Sequence, residues 1–372
     1  MLIEPGLRRG TANPPQSKSH LHRLLVADFL AGDMSRLVQD AADSEDIKAT
    51  KRCLAALAGP GDKPVLDCGE SGSTLRFLAP VAAALGKSPV FKKAGRLAER
   101  PSIEYSELRS GLHELRGDVS SQFVTGLLFA LPIVEGDSRI RFISPLESRG
   151  YVDMTLNVVR GAGVEVVERD GGFDIPGGQR FRVQRGVAPE ADWSGAAFWL
   201  VANAIGNEIE VHGLNEASVQ PDRRVVGAIE TILGKASGRE ALDVSQFPDS
   251  FPALAVAAAA TPGETVFTGI GRLRIKESDR VAAMAEVLGR FGVEVLAEEA
   301  RFVVRGTSGA LKGGSFRSFG DHRIAMATAI GATRASAAVE IDDARCAAKS
   351  YPRFFDEFAA LLKKCSVGRD PA

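Results

Sequence analysis

The sequence contains little cysteine and few aromatic residues. Its 372 residues include four cysteines, and aromatic residues make up 6% of the chain. The cysteines, none of which stands in a CxxC pair, are Cys53, Cys68, Cys346 and Cys365. This spacing favours neither a zinc site nor a disulfide framework. We therefore expect all four to be buried, reduced thiols.

Net charge and long hydrophobic runs are also missing. The formal net charge is -1, so no global field attracts nucleic acid or acidic membranes. No uninterrupted apolar run reaches the length of a membrane span, and the opening stretch MLIEPGLRRGTANPP lacks the hydrophobic core of a signal peptide. These features predict a cytoplasmic protein that binds neither nucleic acid nor membranes.

Motifs for nucleotides and metals are absent from the sequence as well. It contains no GxxxxGK[ST] loop and no cluster of residues at metal-ligand spacing. We therefore expect neither a cofactor nor a metal ion.

What the sequence does contain is a repeated arrangement of small or polar residues followed by an apolar run. Small hydroxyl residues at such a position typically cap a helix, and the closing glycine of most copies is a typical helix end. Helices that are apolar on nearly all sides are buried. The six copies are PPQSKSHLHRLLVADFLAG, DCGESGSTLRFLAPVAAALG, GDVSSQFVTGLLFALP, ADWSGAAFWLVANAIG, FPDSFPALAVAAAATPG and FGDHRIAMATAIGATRAS.

Amphipathic helices followed by β-hairpins lie between these buried helices. YVDMTLNVVRGAGVEVVERDGGFDIPGG and SDRVAAMAEVLGRFGVEVLAEEARFVVRGTSG each combine a helix, a strand, a polar turn and a second strand. The repeat predicts six units in two domains of three. The third unit is short, because only 16 residues of helix-like sequence, PSIEYSELRSGLHELR, separate Arg100 from Gly117. We expect a hairpin to be missing there.

Basic residues gather at the starts of the buried helices and in a few loops. A helix N-terminus already carries unpaired N–H donors and partial positive charge, so added cations make it an anion site. Several such helix starts that converge would bind more than one anion. Taken alone, the stretch RIKESDR is typical of a solvated charge run. The gathered cations are Lys18, Arg23, Arg76, Arg100, Lys276, Arg280, Arg323 and Lys349.

Nine motifs in order along nearly the whole chain resemble the 5-enolpyruvylshikimate-3-phosphate (EPSP) synthase family. SKSHLHR is similar to the family's opening Ser-Lys-Ser motif, and GESGSTLRF is similar to its Asn-Ala-Gly-Thr loop. The remaining motifs that carry the resemblance are LAERP, GDVSSQF, SRGY, FPDSFPAL, RIKESDR, GDHRIAM and CAAKSYPRFF.

The resemblance implies an α/β (α+β) fold of two domains. Each domain would hold three βαβαββ units with buried parallel helices, in an inside-out barrel. Residues 16–190 would form the first domain, shortened because its third unit is truncated near 101–117. Residues 1–15 and 191–372 would form the second domain.

The resemblance also implies an activity, the transfer of the enolpyruvyl group of phosphoenolpyruvate to the 5-hydroxyl of shikimate 3-phosphate with release of phosphate. The residues that would bind shikimate 3-phosphate are Lys18, Ser19, Arg23, Ser120, Ser121, Gln122, Ser148, Asp249, Arg272 and Lys276. Those that would bind phosphoenolpyruvate are Lys18, Gly72, Arg100, Gln122, Arg280, Arg323 and Lys349. The catalytic residues implied are Lys18, Asp249 and Glu277. The protein would act as a monomer.

Four departures from the family pattern concern the substrate loops and not the catalytic set. Glu70 to Ser73 stand in place of Asn-Ala-Gly-Thr, and Phe77 stands where many members have proline. Arg149 stands where lysine is common, and Arg272 replaces an asparagine.

Two alternative functions stay open. One is the sister enzyme UDP-N-acetylglucosamine enolpyruvyl transferase, although the catalytic cysteine usual in that family has no counterpart in GRLAERP. The other is a non-catalytic relative that binds shikimate 3-phosphate.

Overall fold

The structure is a computed structural model that describes residues 1–235 and 238–363. The described residues form eleven α-helices and sixteen β-strands. The helices are, in chain order, α1 Lys18–Leu30, α2 Glu45–Ala58, α3 Gly72–Ala84, α4 Ser121–Ala130, α5 Arg149–Gly161, α6 Trp193–Ala204, α7 Val225–Gly234, α8 Phe251–Ala259, α9 Arg280–Arg290, α10 His322–Ala332 and α11 Phe354–Ala360.

The strands are short. They are, in chain order, β1 Leu2–Ile3, β2 Arg8–Ala12, β3 Val65–Asp67, β4 Val90–Lys92, β5 Gly111–Leu115, β6 Ser138–Phe142, β7 Val167–Arg169, β8 Gly172–Ile175, β9 Glu208–Val211, β10 Arg239–Asp243, β11 Gly263–Thr268, β12 Glu294–Ala297, β13 Arg301–Gly306, β14 Gly314–Phe316, β15 Val339–Ile341 and β16 Leu362–Lys363.

The six predicted buried helices are confirmed as α1, α3, α4, α6, α8 and α10. Every residue of α8 and α10 is buried, as the apolar sequence on all sides requires. Small polar side chains cap five of the six by accepting from a backbone N–H of the first turn. These caps are Ser17, Ser71, Ser120, Asp192 and Asp321.

The buried helices pack into two separate hydrophobic clusters. One contains α1, α3 and α4 and draws on residues from Leu21 to Phe181. The other contains α6, α8 and α10 and also includes Ile3 and Ala12 from the chain start. Strands β1 and β2 pair with β15 and β9, so the first residues of the chain are held by its second half.

Two complete βαβαββ units confirm the predicted repeat. The first runs β5-α4-β6-α5-β7-β8 and forms a sheet in the order β5-β6-β8-β7. The second runs β10-α8-β11-α9-β12-β13 and forms a sheet in the order β10-β11-β13-β12. In both sheets the first two strands are parallel and the predicted hairpin is antiparallel.

The missing segment near 101–117 belongs to the second unit and not to the third, because β5, α4 and α5 are parts of a complete unit. The shortened unit is the second one: after α3 the chain forms β4 and a 3-10 turn, Gly95–Ala98, and then reaches β5 without an exposed helix. Within the described residues, hairpins are also missing in two further places. Helix α2 is followed directly by β3, and α7 ends at Gly234 only a few residues before β10. As a result, β3 and β4 form a sheet of two strands.

The cysteines differ from the expectation at one described position. Cys53 and Cys68 are buried and free, as predicted, whereas Cys346 is free but only partly buried. Cys365 lies outside the described residues. Among residues 1–235 and 238–363, no helix has the length and apolar character needed to cross a membrane.

Candidate active site

A cleft lies between the two hydrophobic clusters, at the N-terminal ends of the buried helices. Helices α1, α3, α4, α9 and α10 point their first turns toward it, which brings partial positive charge together from five directions. All predicted site residues except Lys349 line this cleft. They are Lys18, Ser19, Arg23, Gly72, Arg100, Ser120, Ser121, Gln122, Ser148, Asp249, Arg272, Lys276, Glu277, Arg280 and Arg323.

Arg280 joins three carboxylates at the floor of the cleft. Its Nη1 lies 2.8 Å from Asp249 Oδ1, and its Nη2 lies 2.9 Å from Glu277 Oε2. Its Nε lies 2.9 Å from Asp321 Oδ2. The side chain is only 1% exposed, so these charge-assisted bonds form in a medium that screens them weakly. Arg280 therefore fixes the separation of Asp249 and Glu277.

Both cleft carboxylates are held in the ionised state. Burial alone would raise their pKa values, but neighbouring cations outweigh it and the pKa values of Asp249 and Glu277 lie well below the ordinary range. The cations responsible are Arg323, Lys276 and Arg280 for Asp249, and Arg280, Arg100 and Lys349 for Glu277.

Two further cations contact Asp249. Lys276 Nζ lies 3.3 Å from its Oδ1, and Arg323 Nη2 lies 3.2 Å from its Oδ2. Arg323 also donates to Ser194 Oγ at 3.0 Å, which ties the start of α6 to the cleft. Burial lowers the pKa of Lys276 to about 8, although the charge of Asp249 opposes this shift. Lys276 is thus a cation that loses its charge in mildly alkaline solution.

Arg76 and Gln122 form the wall of the cleft in the first half of the chain. Arg76 Nη1 donates to Gln122 Oε1 at 2.6 Å, and Gln122 Nε2 donates to Ser73 Oγ at 2.9 Å. Burial, together with the nearby charge of Arg100, lowers the pKa of Arg76 to about 9. Arg100 Nη1 in turn lies 3.6 Å from Glu277 Oε1, across the cleft. This wall of the cleft therefore carries more positive than negative charge.

Lys18 and Lys349 share one carboxylate. Asp46 Oδ2 lies 2.8 Å from Lys18 Nζ, and Asp46 Oδ1 lies 3.4 Å from Lys349 Nζ. Burial alone would raise the pKa of Asp46, but the two lysines lower it. Lys349 also contacts Glu70, so it sits at the edge of the cleft and not on its lining.

Among residues 1–235 and 238–363, Arg23 has only neutral hydrogen-bond partners. Its Nε donates to Thr155 Oγ1 at 2.9 Å and its Nη2 donates to the carbonyl of Tyr151 at 2.8 Å. Burial lowers its pKa to about 10, because no carboxylate compensates the buried charge. A guanidinium placed in this way favours an added anion or hydroxyl acceptor.

Three serines line the same part of the cleft. Ser120 caps α4, and Ser121 is the first residue of that helix. Ser148 adopts a left-handed backbone with φ 53°, which is uncommon for a residue other than glycine. Its hydroxyl donates to the Ser245 carbonyl at 3.1 Å and accepts from Arg272. Arg272 also pairs with Glu147 at 2.6 Å. This strain at a buried, bonded serine is typical of a functional position.

Tyr151 and His322 are cleft residues that the sequence did not mark as part of the site. Tyr151 donates to Asp222 Oδ2 at 2.6 Å beneath the cleft. Burial lowers the pKa of His322 well below its ordinary value, as do Arg323 and Lys18, so the ring is neutral. Its two ring nitrogens have no hydrogen-bond partner in the structure. His322 follows the capping Asp321 in GDHR, and that motif was the available signal for it.

Other cleft residues could not be found from the sequence. Asp46 lies in the first turn of α2, where an acidic residue is ordinary, and nothing in the local pattern shows that it meets two lysines. Arg76 was counted among the gathered cations but was not placed in the site. Within the described residues, no group of His, Cys, Asp and Glu could hold a metal ion.

Comparison with known proteins identifies the family. A family profile described as EPSP synthase (3-phosphoshikimate 1-carboxyvinyltransferase) matches residues 98–358. The enzyme of that name from Clostridium kluyveri is 37% identical over 428 positions and covers 99% of each chain. The one from Clostridioides difficile is 34% identical over 425 positions and covers 97% of each chain.

The aligned length agrees with the missing hairpins. The alignment to the C. kluyveri protein spans 428 positions and this chain has 372 residues, so at least 56 positions have no counterpart in it. Within the described residues, the units that contain α2, α3 and α7 are the ones that lack hairpins, so the unmatched positions fall there.

Solved structures agree in fold. An EPSP synthase from Acinetobacter baumannii has a TM-score of 0.69 at 22% identity and covers 96% of this chain and 97% of its own. The enolpyruvyl transferase NikO from Streptomyces tendae has the same TM-score of 0.69 at 13% identity and covers 98% of this chain and 97% of its own. Together with the family profile and the curated relatives, the fold and the cleft lead to one conclusion: the chain belongs to the EPSP synthase family.

Proposed function

We propose that this protein transfers the enolpyruvyl group of phosphoenolpyruvate to the 5-hydroxyl of shikimate 3-phosphate and releases inorganic phosphate. One observation carries the proposal: two ionised carboxylates, Asp249 and Glu277, lie on a single buried arginine in a cleft lined by cations from both halves of the chain. Two anionic substrates need that surplus of positive charge, and a reaction that moves two protons needs the carboxylates.

Phosphoenolpyruvate fits the side of the cleft between α3, α9 and α10. We assign its phosphate to Lys18, Arg100, Gln122 and Lys349, and its carboxylate to Arg280 and Arg323. Gly72 supports this placement, because a side chain there would meet Arg76 at 2.7 Å and would lie 3.4 Å from Arg100 and Gln122. The backbone is thereby open to a ligand at the start of α3.

Shikimate 3-phosphate fits the side between α1, α4 and α5. We assign its phosphate to Ser120, Ser121 and Ser148, with Gln122 between the two substrates. Arg272 supports the third of these assignments, since it contacts Ser148 and adds a positive charge there. We assign the ring hydroxyls to Lys18, Ser19, Arg23, Asp249 and Lys276.

The reaction is an addition followed by an elimination. The 5-hydroxyl oxygen attacks C2 of phosphoenolpyruvate, while its proton passes to a base and the methylene carbon C3 gains a proton from an acid. The tetrahedral intermediate then loses a proton from C3 and expels phosphate, which restores the double bond. Asp249, Glu277 and Lys18 are the groups we assign to these proton transfers.

The low pKa values of both carboxylates bear on their roles. In the free enzyme Asp249 and Glu277 are ionised, so each is ready to accept a proton and neither carries one. A carboxylate that accepts a proton in the addition can return it in the elimination. Substrate anions that screen the surrounding cations would raise the pKa values of Asp249 and Glu277, which makes it easier for each carboxylate to take up a proton and return it.

The domain assignment remains a proposal of the same kind. We propose that residues 16–190 form one domain and that residues 1–15 with 191–372 form the other, and the two hydrophobic clusters support this division. A monomeric state and a cytoplasmic location stay predictions.

A phosphate-release assay tests the proposed activity. Phosphate should appear only when both substrates are present, and the double variant Ser120→Ala with Ser121→Ala should lose the activity through weaker binding of shikimate 3-phosphate. The exposed serines Ser308 and Ser336 provide a matched double alanine control that should keep full activity. Folded protein that binds shikimate 3-phosphate without any turnover would favour a non-catalytic relative instead.

A further inference from the structure

The ammonium group of Lys349 is surrounded by oxygens from the first half of the chain. It donates to the carbonyl of Glu70 at 3.1 Å and to Glu70 Oε2 at 3.2 Å, and it forms an ion pair with Asp46 Oδ1 at 3.4 Å. Among the described residues Glu70 thus accepts the hydrogen bonds of Lys349, and an anion that takes the place of its carboxylate must displace it.

The two carboxylates on Lys349 are held with different strength. The side chain of Asp46 is 7% exposed and is also bound by Lys18 at 2.8 Å. The side chain of Glu70 is 48% exposed, and Lys349 is its only ion-pair partner among the described residues. Exposed ion pairs contribute little, whereas a buried carboxylate with two cations is costly to release. The contact between Lys349 and the Glu70 carboxylate is therefore the one that breaks first.

Gly95 provides the space in which the Glu70 carboxylate lies. A Cβ atom built on Gly95 would come within 1.9 Å of Glu70 Oε1, and the backbone at Gly95 has φ +52°. The loop after β4 therefore fits the carboxylate closely and aims it at Lys349. Glu70 is also the first of the positions where this sequence departs from the family's Asn-Ala-Gly-Thr pattern.

We infer that Glu70 sets the affinity for phosphoenolpyruvate by occupying, in the free enzyme, the place on Lys349 that the substrate phosphate takes. This rests on the proposed function, which assigns Lys349 to that phosphate. The Glu70 carboxylate competes with the incoming phosphate and repels it at short range. The same contact weakens binding of the product, inorganic phosphate, and so favours its release.

Glu70→Gln tests this inference, because it removes the charge and keeps the shape. Lys349 stays in place in the variant, since Asp46 and the Glu70 carbonyl still hold it. We expect the KM for phosphoenolpyruvate to fall about two- to fivefold, the size of one half-exposed ion pair. The KM for shikimate 3-phosphate and kcat should stay within about twofold of wild type.

The control is Glu114→Gln, which removes a carboxylate of similar exposure from an ion pair with Arg141 on the outer sheet. It should change neither KM. An unchanged or raised KM for phosphoenolpyruvate in Glu70→Gln would overturn the inference, and Glu70→Asn repeats the test if the glutamine variant folds poorly.

Calorimetry with inorganic phosphate separates this inference from the proposed function. Tighter phosphate binding by Glu70→Gln than by wild type supports the competition at Lys349 even if the protein shows no turnover. Equal or weaker binding rejects it even if the protein is an active transferase.

Discussion

Arg280 binds Asp249 through a 2.8 Å contact between Nη1 and Oδ1, and this contact links substrate binding to proton transfer in the proposed reaction. The arginine that is assigned to the carboxylate of phosphoenolpyruvate is also the main support of a proposed catalytic carboxylate. Binding and proton transfer are therefore coupled at this position, and a substitution of Arg280 affects both.

Replacement of Arg280 is expected to destabilise the fold as well as the site. Arg280→Ala leaves Asp249, Glu277 and Asp321 without their shared cation, and breaking a buried ion pair costs about 3–5 kcal/mol. Chemical denaturation should show a loss of unfolding free energy in this range. Arg323→Ala removes two hydrogen bonds to Asp249 and two to Ser194 but leaves Arg280 in place on all three carboxylates, so it should lose less stability and mainly raise the KM for phosphoenolpyruvate. Equal stability of Arg280→Ala and wild type would contradict the role given to this arginine.

Removal of the Glu277 charge should slow the chemistry. In Glu277→Gln the amide can still accept from Arg280, but it cannot take up a proton, and general acid–base catalysis contributes at least about 100-fold. We expect kcat to fall by about this factor, with both KM values within about threefold of wild type. The exposed Glu298, which pairs with Arg301, supplies a glutamine control. A kcat within about twofold of wild type would remove Glu277 from the catalytic assignment.

Lys276 should impose an alkaline limit on the use of shikimate 3-phosphate. Burial lowers the pKa of Lys276 to about 8, so the cation that faces the substrate is lost as the pH rises through that value. We expect kcat/KM for shikimate 3-phosphate to decline above about pH 8. Lys276→Arg retains its charge, so the decline should move to higher pH even if the rate at neutral pH is lower. An alkaline limb at the same pH in both proteins would assign it to another group.

Asp222 should make stability depend on pH in the opposite sense to an ordinary ion-paired carboxylate. Burial and the nearby charge of Asp249 raise the pKa of Asp222 to about 6. The folded state therefore binds this proton more tightly than the unfolded state, and the carboxylate destabilises the fold increasingly from about pH 4 to pH 6. The shift of about two pH units corresponds to roughly 3 kcal/mol.

Asp222→Asn measures that destabilisation. The amide oxygen can still accept from Tyr151, and the amide NH2 in place of the other oxygen can donate to the Ser250 hydroxyl, so the variant should have a higher thermal midpoint than wild type at pH 7.5. The gain should shrink as the pH falls below 6 and vanish near pH 4. A variant that is less stable than wild type at pH 7.5 would show that the charge of Asp222 is needed in the fold.

The parts of the fold that depend on local sequence could be predicted, and those that depend on distant partners could not. The starts of the six buried helices follow from capping residues next to apolar runs, and Ser120 indeed caps α4. The hairpins β7–β8 and β12–β13 follow from alternating residues around polar turns. The sequence does not indicate that hairpins are missing after α2 and α7, because each remaining described segment has the pattern of an ordinary turn followed by a strand.

The same distinction applies to the site. Most residues inside the family-like motifs meet in the cleft, because most of these motifs lie at helix starts that point inward. Asp46, which lies outside the motifs, belongs to the cleft through contacts over long sequence distances, such as its ion pair with Lys349. Glu70 could be identified as a departure from the family pattern, but its contact with Lys349, 279 positions later, depends on how the two halves face each other.

Phosphorus-31 NMR of the purified protein with both substrates tests the central claim most directly, since it follows all phosphate-bearing species in one sample. The account predicts that the signals of phosphoenolpyruvate and shikimate 3-phosphate decline together while inorganic phosphate and one new phosphomonoester appear in equal amounts, and that neither substrate changes alone. Unchanged spectra from folded protein, or inorganic phosphate without a new phosphomonoester, would contradict enolpyruvyl transfer.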